Sequence, residues 1–159
     1  MIFVTVGTQK FPFDRLMRTL DELVCKKRIT EGVFAQIGYS NYVPEHFKVK
    51  KLLTPEEFLE YMDCANVVIT HGGTSSIIQA LKRRKKVLVV PRRKKYKEHI
   101  DDHQVEIAQM FYESGMIEIV DDILCLGDLL EKIKQTDYKV YVENESKLIN
   151  DLAFYLQQI

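Results

Sequence analysis

Long apolar runs are missing from this 159-residue chain, and that absence removes one class at once. No stretch approaches the roughly 20 consecutive apolar residues that a membrane-spanning helix needs. No charged leader precedes the first strand pattern, Met1-Ile2-Phe3-Val4, so a secretory signal peptide is not expected. Cysteine is scarce. Cys25, Cys64 and Cys125 are odd in number, far apart and without metal-ligand spacing. They read as reduced thiols of a cytosolic protein, neither a disulfide framework nor a zinc site. G-x-G-x-x-G and G-x-x-x-x-G-K-[ST] do not occur. A nicotinamide enzyme and a P-loop ATPase are therefore unsupported. No repeat, linker or low-complexity tract divides the chain. Its length suits one domain, 1–159, with a real core.

Net charge is also lacking: 23 Lys and Arg balance 23 Asp and Glu. The placement is uneven, however. From Lys82 to Lys97 ten residues are basic and none is acidic, which leaves the remainder acidic. Two clusters, Lys82 to Lys86 and Arg92 to Lys97, flank the apolar Val87 to Val90. Single-stranded nucleic acid binding favours aromatics interleaved with cations, and only Tyr96 is available, so no nucleic-acid partner is expected. The first cluster ends a helix pattern, where cations suit the dipole. Attraction to anionic lipid headgroups or to a lipid-linked diphosphate fits the run better.

What is present alternates in period. Ile2 to Val6, Val33 to Ile37, Val67 to Ile69, Val87 to Val90 and Met116 to Val120 are short apolar strand patterns, with a weaker one at Phe47 to Leu52. Between them, Phe13, Leu16, Met17, Leu20, Leu23 and Val24 recur at helical spacing. Thr54-Pro55-Glu56-Glu57 is a capping box with proline at the first helical position. Helices are also expected after Gly73, from His99 to Ser114, from Leu126 to Ile133 and from Glu143 to Leu156. Strands alternating with helices imply an α/β fold with a parallel sheet covered on both faces. Such folds bind ligands beyond the carboxyl ends of their strands. Four loops then share one edge: Gly7 to Lys10, Gly38 to Asn41, His71 to Ser76 and Pro91 to His103.

The most informative loop is Thr70-His71-Gly72-Gly73-Thr74-Ser75-Ser76, between the strand from Val67 and the helical Ile77 to Leu81. Strand, glycine turn and helix start present free amides to a phosphate. The glycines let the backbone approach a ligand, and the hydroxyls either cap the helix or bond phosphate oxygens. An ordinary tight turn has the same pattern. Gly7 and Thr8 follow the first strand, where a capping hydroxyl is the simpler role. Gln104 and Glu98 offer partners for sugar hydroxyls. His99 and His103, four apart, would share a helix face, but a third metal ligand is not evident, and no metal is expected. Asp101 and Asp102 suit a helix N-terminus. The last helix carries Leu148, Ile149, Leu152, Ala153, Phe154, Tyr155, Leu156 and Ile159, either to close its own core or to meet a partner.

Three ordered motifs carry a resemblance: Phe3-Val-Thr-Val-Gly-Thr8 with Phe13-Asp-Arg-Leu16; Val68-Ile-Thr-His-Gly-Gly-Thr74; and Val89-Val-Pro-Arg92 with His99-Ile-Asp-Asp-His-Gln104. Together the chain resembles the carboxyl-terminal, donor-binding half of family 28 glycosyltransferases. The resemblance implies a single Rossmann-like domain, one half of a GT-B fold. It is similar to capsule and exopolysaccharide subunits and to the soluble subunit of the dolichol-linked N-acetylglucosamine transferase. That implies a hexosyltransferase active only with a membrane-associated, acceptor-binding partner. The donor would be a UDP-sugar, the acceptor a sugar on a polyprenyl diphosphate, with no cofactor. The protein would be cytoplasmic and drawn to the membrane face by its partner. By motif, Gly7 and Thr8 would face the diphosphate. His71, Gly72, Gly73, Thr74 and Ser75 would present amides and hydroxyls to it, and Gln104 with Glu98 or His103 would meet the donor sugar. Relatives often carry an acid where this chain has Gln79, so Gln79 would meet the ribose. The base would sit on the partner, with His71 the one weak candidate here. The residues alone also allow a nucleotide-binding regulatory module that modulates a membrane partner.

Overall fold

The computed structural model describes residues 1–143 and 146–158. Among them run β1 (Ile2–Thr5), α1 (Asp14–Cys25), β2 (Val33–Gln36), β3 (Lys48–Lys50), α2 (Pro55–Cys64), β4 (Val67–Thr70), α3 (Thr74–Lys82), β5 (Lys86–Val89), α4 (His103–Glu113), β6 (Glu118–Ile119), α5 (Leu126–Gln135) and α6 (Ser146–Leu156). Single 3₁₀ turns lie at Lys94–Tyr96 and Ile123–Cys125.

The six strands form one sheet in the order β3-β2-β1-β4-β5-β6. Every pair is parallel, with Ile2 beside both Val33 and Val67, and Val67 beside Lys86. The expected α/β class is therefore the observed one. Side chains alternate across each strand, which gives two apolar layers. Ile2 and Val4 pack with Leu16, Met17 and Leu20 of α1 and Leu126, Leu130 and Ile133 of α5. Phe3 packs on the other face with Met62 of α2, Ile77 and Ala80 of α3, and Ile107, Ala108 and Phe111 of α4. The chain doubles back between β1 and β4. There the neighbouring connections leave to opposite sides, and a crevice opens at the carboxyl ends.

Thr54 caps α2 as its sequence implies. Its hydroxyl accepts the Glu57 amide at 3.2 Å, and Glu57 accepts the Thr54 amide at 2.9 Å. Two expected helices start later than their sequences suggest. α4 begins at His103, not His99. Upstream, Glu98 is held by Arg15 Nε and an Arg15 terminal nitrogen, each at 2.9 Å. Lys97 takes a left-handed conformation, φ 57°, and the Asp101 carboxylate accepts the His103 amide at 3.2 Å. These contacts bend the chain through 97–102, so His99 and His103 do not share a helix face. α6 begins at Ser146. It docks on its own domain against α4, with Leu152 buried and Tyr155 partly buried in the second apolar layer. Ala153, Phe154 and Leu156 stay exposed. The side chains of Leu148 and Ile149, and Ile159 as a whole, lie outside the described residues.

Candidate functional site

At the β1/β4 crevice the chain encloses a cleft of about 620 Å³, within the range of small-ligand sites. One wall is polar: Gly7 and Thr8 after β1, His71 to Ser76 and Gln79 from the β4–α3 turn, and His103 and Gln104 at the start of α4. The apolar part of the lining comes from Leu53, Pro55, Phe58 and Leu59 around the start of α2, Ile107 of α4, and Leu156 of α6.

The polar wall contains an open helix end. Gly73 is the N-cap of α3 and, having no side chain, makes no capping bond. The first bond of the helix is Ile77 N–H to Gly73 O, at 3.2 Å. Among the described residues, no protein acceptor is found for the amides of Thr74, Ser75 and Ser76. Orphan first-turn amides and the positive end of the dipole together make an anion site. Ser75 also accepts a hydrogen bond from Gln79 Nε2, at 3.2 Å.

Each glycine of the site meets a close neighbour inside the protein. His71 is buried beneath the turn. A β-carbon on Gly73 would lie 2.4 Å from His71 Nε2, and one on Gly7 2.7 Å from the same atom. Gly7 also sits at φ +75°, a conformation that favours glycine. A β-carbon on Gly72 would lie 2.4 Å from the Gln104 carbonyl oxygen. The glycines thus admit the imidazole and the start of α4, and so close the turn onto β1 and α4. His71 Nδ1 lies 3.4 Å from the Thr5 carbonyl oxygen and 3.3 Å from Thr70 Oγ1. Burial, and then the nearby Arg92 charge, push its pKa down to about 4. The imidazole is neutral at physiological pH. This geometry packs the loop.

One expected site residue falls elsewhere. Glu98 does not line the cleft. It is buried in its bidentate pair with Arg15 and also accepts the Arg93 amide, at 3.1 Å. Arg92, the first residue of the second basic cluster, is set apart from its neighbours. It is fully buried and donates to the carbonyls of Val6 (2.6 Å), Phe11 (3.0 Å), Pro12 (3.3 Å) and Glu98 (3.1 Å). It thus ties the loop after β1 to the loop after β5. Burial lowers its pKa to about 10, opposed by Glu98.

Two contributors escaped the sequence reading. Gln36, at the end of β2, lines the cleft and accepts the Leu53 amide at 3.0 Å. Its Nε2 approaches the Gly7 carbonyl oxygen at 3.4 Å. A polar residue ending an otherwise apolar strand was its one signal. Asp101 is the group that joins the two histidines: its carboxylate meets His99 Nδ1 at 3.0 Å and also His103 Nδ1. The three side chains bring ligand-type atoms within 4.8 Å of one another. The hydrogen bonds to Asp101 account for that proximity. Gln104 is buried, and among the described residues its Oε1 has no partner.

Comparison with known proteins agrees with this geometry. Residues 1–152 match the glycosyltransferase family 28 C-terminal domain, and the chain belongs to that family. It is 28% identical over 123 residues to the human UDP-N-acetylglucosamine transferase subunit ALG13, covering 72% of this chain and 10% of that protein. It is 31% identical over 100 residues to a Streptococcus equi enzyme, the UDP-N-acetylglucosamine–N-acetylmuramyl-(pentapeptide) pyrophosphoryl-undecaprenol N-acetylglucosamine transferase, covering 59% of this chain and 27% of that one. The chain therefore spans about a tenth to a quarter of these relatives. Among solved structures, the solution structure of ALG13 superposes with TM-score 0.62 at 20% identity, covering 95% of this chain and 93% of that one. Acinetobacter baumannii MurG superposes with TM-score 0.57 at 18% identity, covering 83% of this chain and 40% of that one. These are domains of GT-B glycosyltransferases, and the chain has their fold.

Proposed function

We propose that this chain binds a UDP-sugar in the β1/β4 cleft and forms the donor half of a two-component glycosyltransferase. The observation that carries this reading is the uncapped start of α3, whose free amides open onto the cleft. A departing nucleoside diphosphate gathers negative charge, and preorganised amides stabilise it without reorganisation. The amides of Thr74, Ser75 and Ser76, with the hydroxyls of Thr8, Thr74 and Ser75, take the diphosphate. Gly7 and Gly73, packed over neutral His71, and Gly72, packed against the Gln104 carbonyl, hold that surface in shape. Gln79 takes a ribose hydroxyl, and the apolar lining at Leu53 takes the flat base. Gln104 and His103, at the α4 end, meet the donor sugar. His71, with its pKa near 4, makes a poor base at neutral pH, so the base comes from the acceptor-binding partner.

The second wall of a GT-B cleft needs another domain. The partner supplies it and holds a sugar linked to a polyprenyl diphosphate at the cytoplasmic membrane face, as in capsule or exopolysaccharide assembly. Two relatives support this: the human one is a transferase subunit, and the streptococcal one is a pyrophosphoryl-undecaprenol N-acetylglucosamine transferase. The partner brings the chain to the membrane; among the described residues no helix is long and apolar enough to cross one. Calorimetry with UDP, ADP, NAD and single-stranded RNA, with and without the partner, tests the reading. UDP is expected to bind best, and Gln104→Ala to weaken sugar discrimination more than UDP affinity. Binding of RNA but of no uridine nucleotide, alone or in complex, refutes the reading. UDP binding by a chain whose cleft variants leave the partner's transferase activity untouched would identify a regulatory module instead.

A further inference from the structure

The structure divides the basic run into engaged and free cations. Lys82 pairs with Glu143, and Arg83 with Asp63 at 2.8 Å. Lys85 donates to the Asp63 carbonyl oxygen, and Lys86 to those of Lys134 and Thr136. Arg92 is buried, and Arg93 pairs with Asp121 at 2.7 Å. Arg84 before β5, and Lys94, Lys95 and Lys97 after it, are exposed, and among the described residues no acid pairs with them; Lys95 lies over the Tyr96 ring at 4.8 Å, and Arg15 lies over the same ring at 4.6 Å. The nearby acids are engaged elsewhere. Glu98 is held by Arg15, and Asp101 by His99 and His103. Asp102 accepts the Lys94 backbone amide, and Asp121 faces Arg93. The same segment exposes two apolar side chains, Tyr96 at 48% and Ile100 at 68%.

We infer that Lys94, Lys95 and Lys97, with Tyr96 and Ile100, form a direct contact with an anionic bilayer surface. Charge complementarity identifies the occupant. Each lysine near an anionic leaflet contributes about 1 kcal/mol, while an aromatic and an aliphatic side chain enter the headgroup boundary. A protein partner fits less well, since lysine is depleted from the buried centres of protein interfaces. The segment is built to hold its shape. Arg92 and the Arg15–Glu98 pair anchor its base, so little ordering is required on contact. It leaves the carboxyl end of β5 and runs into α4, whose first residues, His103 and Gln104, line the cleft. The bilayer contact therefore lies beside the cleft. The inference does not depend on the donor-binding reading.

Co-sedimentation of the full chain tests it, using vesicles of phosphatidylcholine alone and of phosphatidylcholine mixed with phosphatidylglycerol. Binding is expected only to the mixed vesicles and should fall as salt is raised. Replacing all three residues (Lys94→Gln, Lys95→Gln, Lys97→Gln) should lower the partition about 100-fold, from about 1 kcal/mol per lysine. Ile100→Ser should lower it several-fold. Circular dichroism and UDP titration of the variants separate this result from misfolding and from failure of the donor site. Equal binding to neutral and mixed vesicles, or full retention by the triple variant, overturns the inference. Loss of capture by a membrane partner in detergent, with no vesicle binding by the wild type, also overturns it and makes the segment a protein interface.

Discussion

Gly73→Ala isolates the claim that an imidazole, not a ligand, requires glycine in the turn. The added methyl would lie 2.4 Å from His71 Nε2, whereas ordinary carbon contacts settle at about 3.5–4.0 Å. The ring must retreat by about 1 Å or the turn must open. It has little freedom to retreat, being buried and fixed at Nδ1 beside Thr5 and Thr70. The Gly73 backbone, at φ −76°, adds no strain of its own. Overpacking alone then sets the cost, about 1–3 kcal/mol. Urea denaturation of the wild type, Gly73→Ala, His71→Ala and the double variant measures it. Most of the Gly73→Ala penalty should disappear once the imidazole is gone, giving a coupling of about 1–2 kcal/mol. UDP affinity should fall with Gly73→Ala, because the turn that carries the α3 amides shifts. An equal penalty with and without His71 refutes the packing argument. Unchanged stability with abolished UDP binding refutes it too, and returns Gly73 to the ligand-facing role that the sequence suggests.

Two further outcomes follow from the buried cation and imidazole. His71 has a native pKa near 4 against about 6.5 unfolded. The unfolded chain therefore takes up the proton first as pH falls. Its contribution is fully present above pH 6.5, declines between 6.5 and 4, and amounts to about 3 kcal/mol. Urea midpoints across that window should fall in the wild type and flatten in His71→Gln; parallel slopes would contradict a neutral buried His71. Arg92→Met should cost about 3–5 kcal/mol, since it leaves the carbonyls of Val6, Phe11, Pro12 and Glu98 without their donor. Lys95→Met, three residues away and exposed, should change stability by less than about 0.5 kcal/mol; thermal melts of the two variants check the contrast.

The sequence by itself determined the layout. Short apolar runs alternating with helical periods define a parallel sheet covered on both faces, because hydrophobic period is a local property. The capping box at Thr54 and the strand–glycine–helix turn at His71 to Ser76 were legible for the same reason, since capping and turn chemistry act within a few residues. The α4 boundary was not legible. Asp101 and Asp102 do stand at the helix start, with Asp102 at the N-cap, but the helical pattern extends back to His99, and one long-range and one local set of contacts bend the chain there. Arg15, distant in sequence, holds Glu98, and Asp101 gathers His99 and His103. Arg92 and Lys95 are equivalent in composition, yet one is a buried cross-link between strand-end loops and the other a solvated charge. Only tertiary structure separates them, because burial depends on which carbonyls the fold brings near. The same holds for the glycines. A pair of glycines signals close approach, but sequence cannot say to what. Folding places an imidazole under Gly73 and the α4 backbone against Gly72, and leaves the amides of α3 open to the cleft.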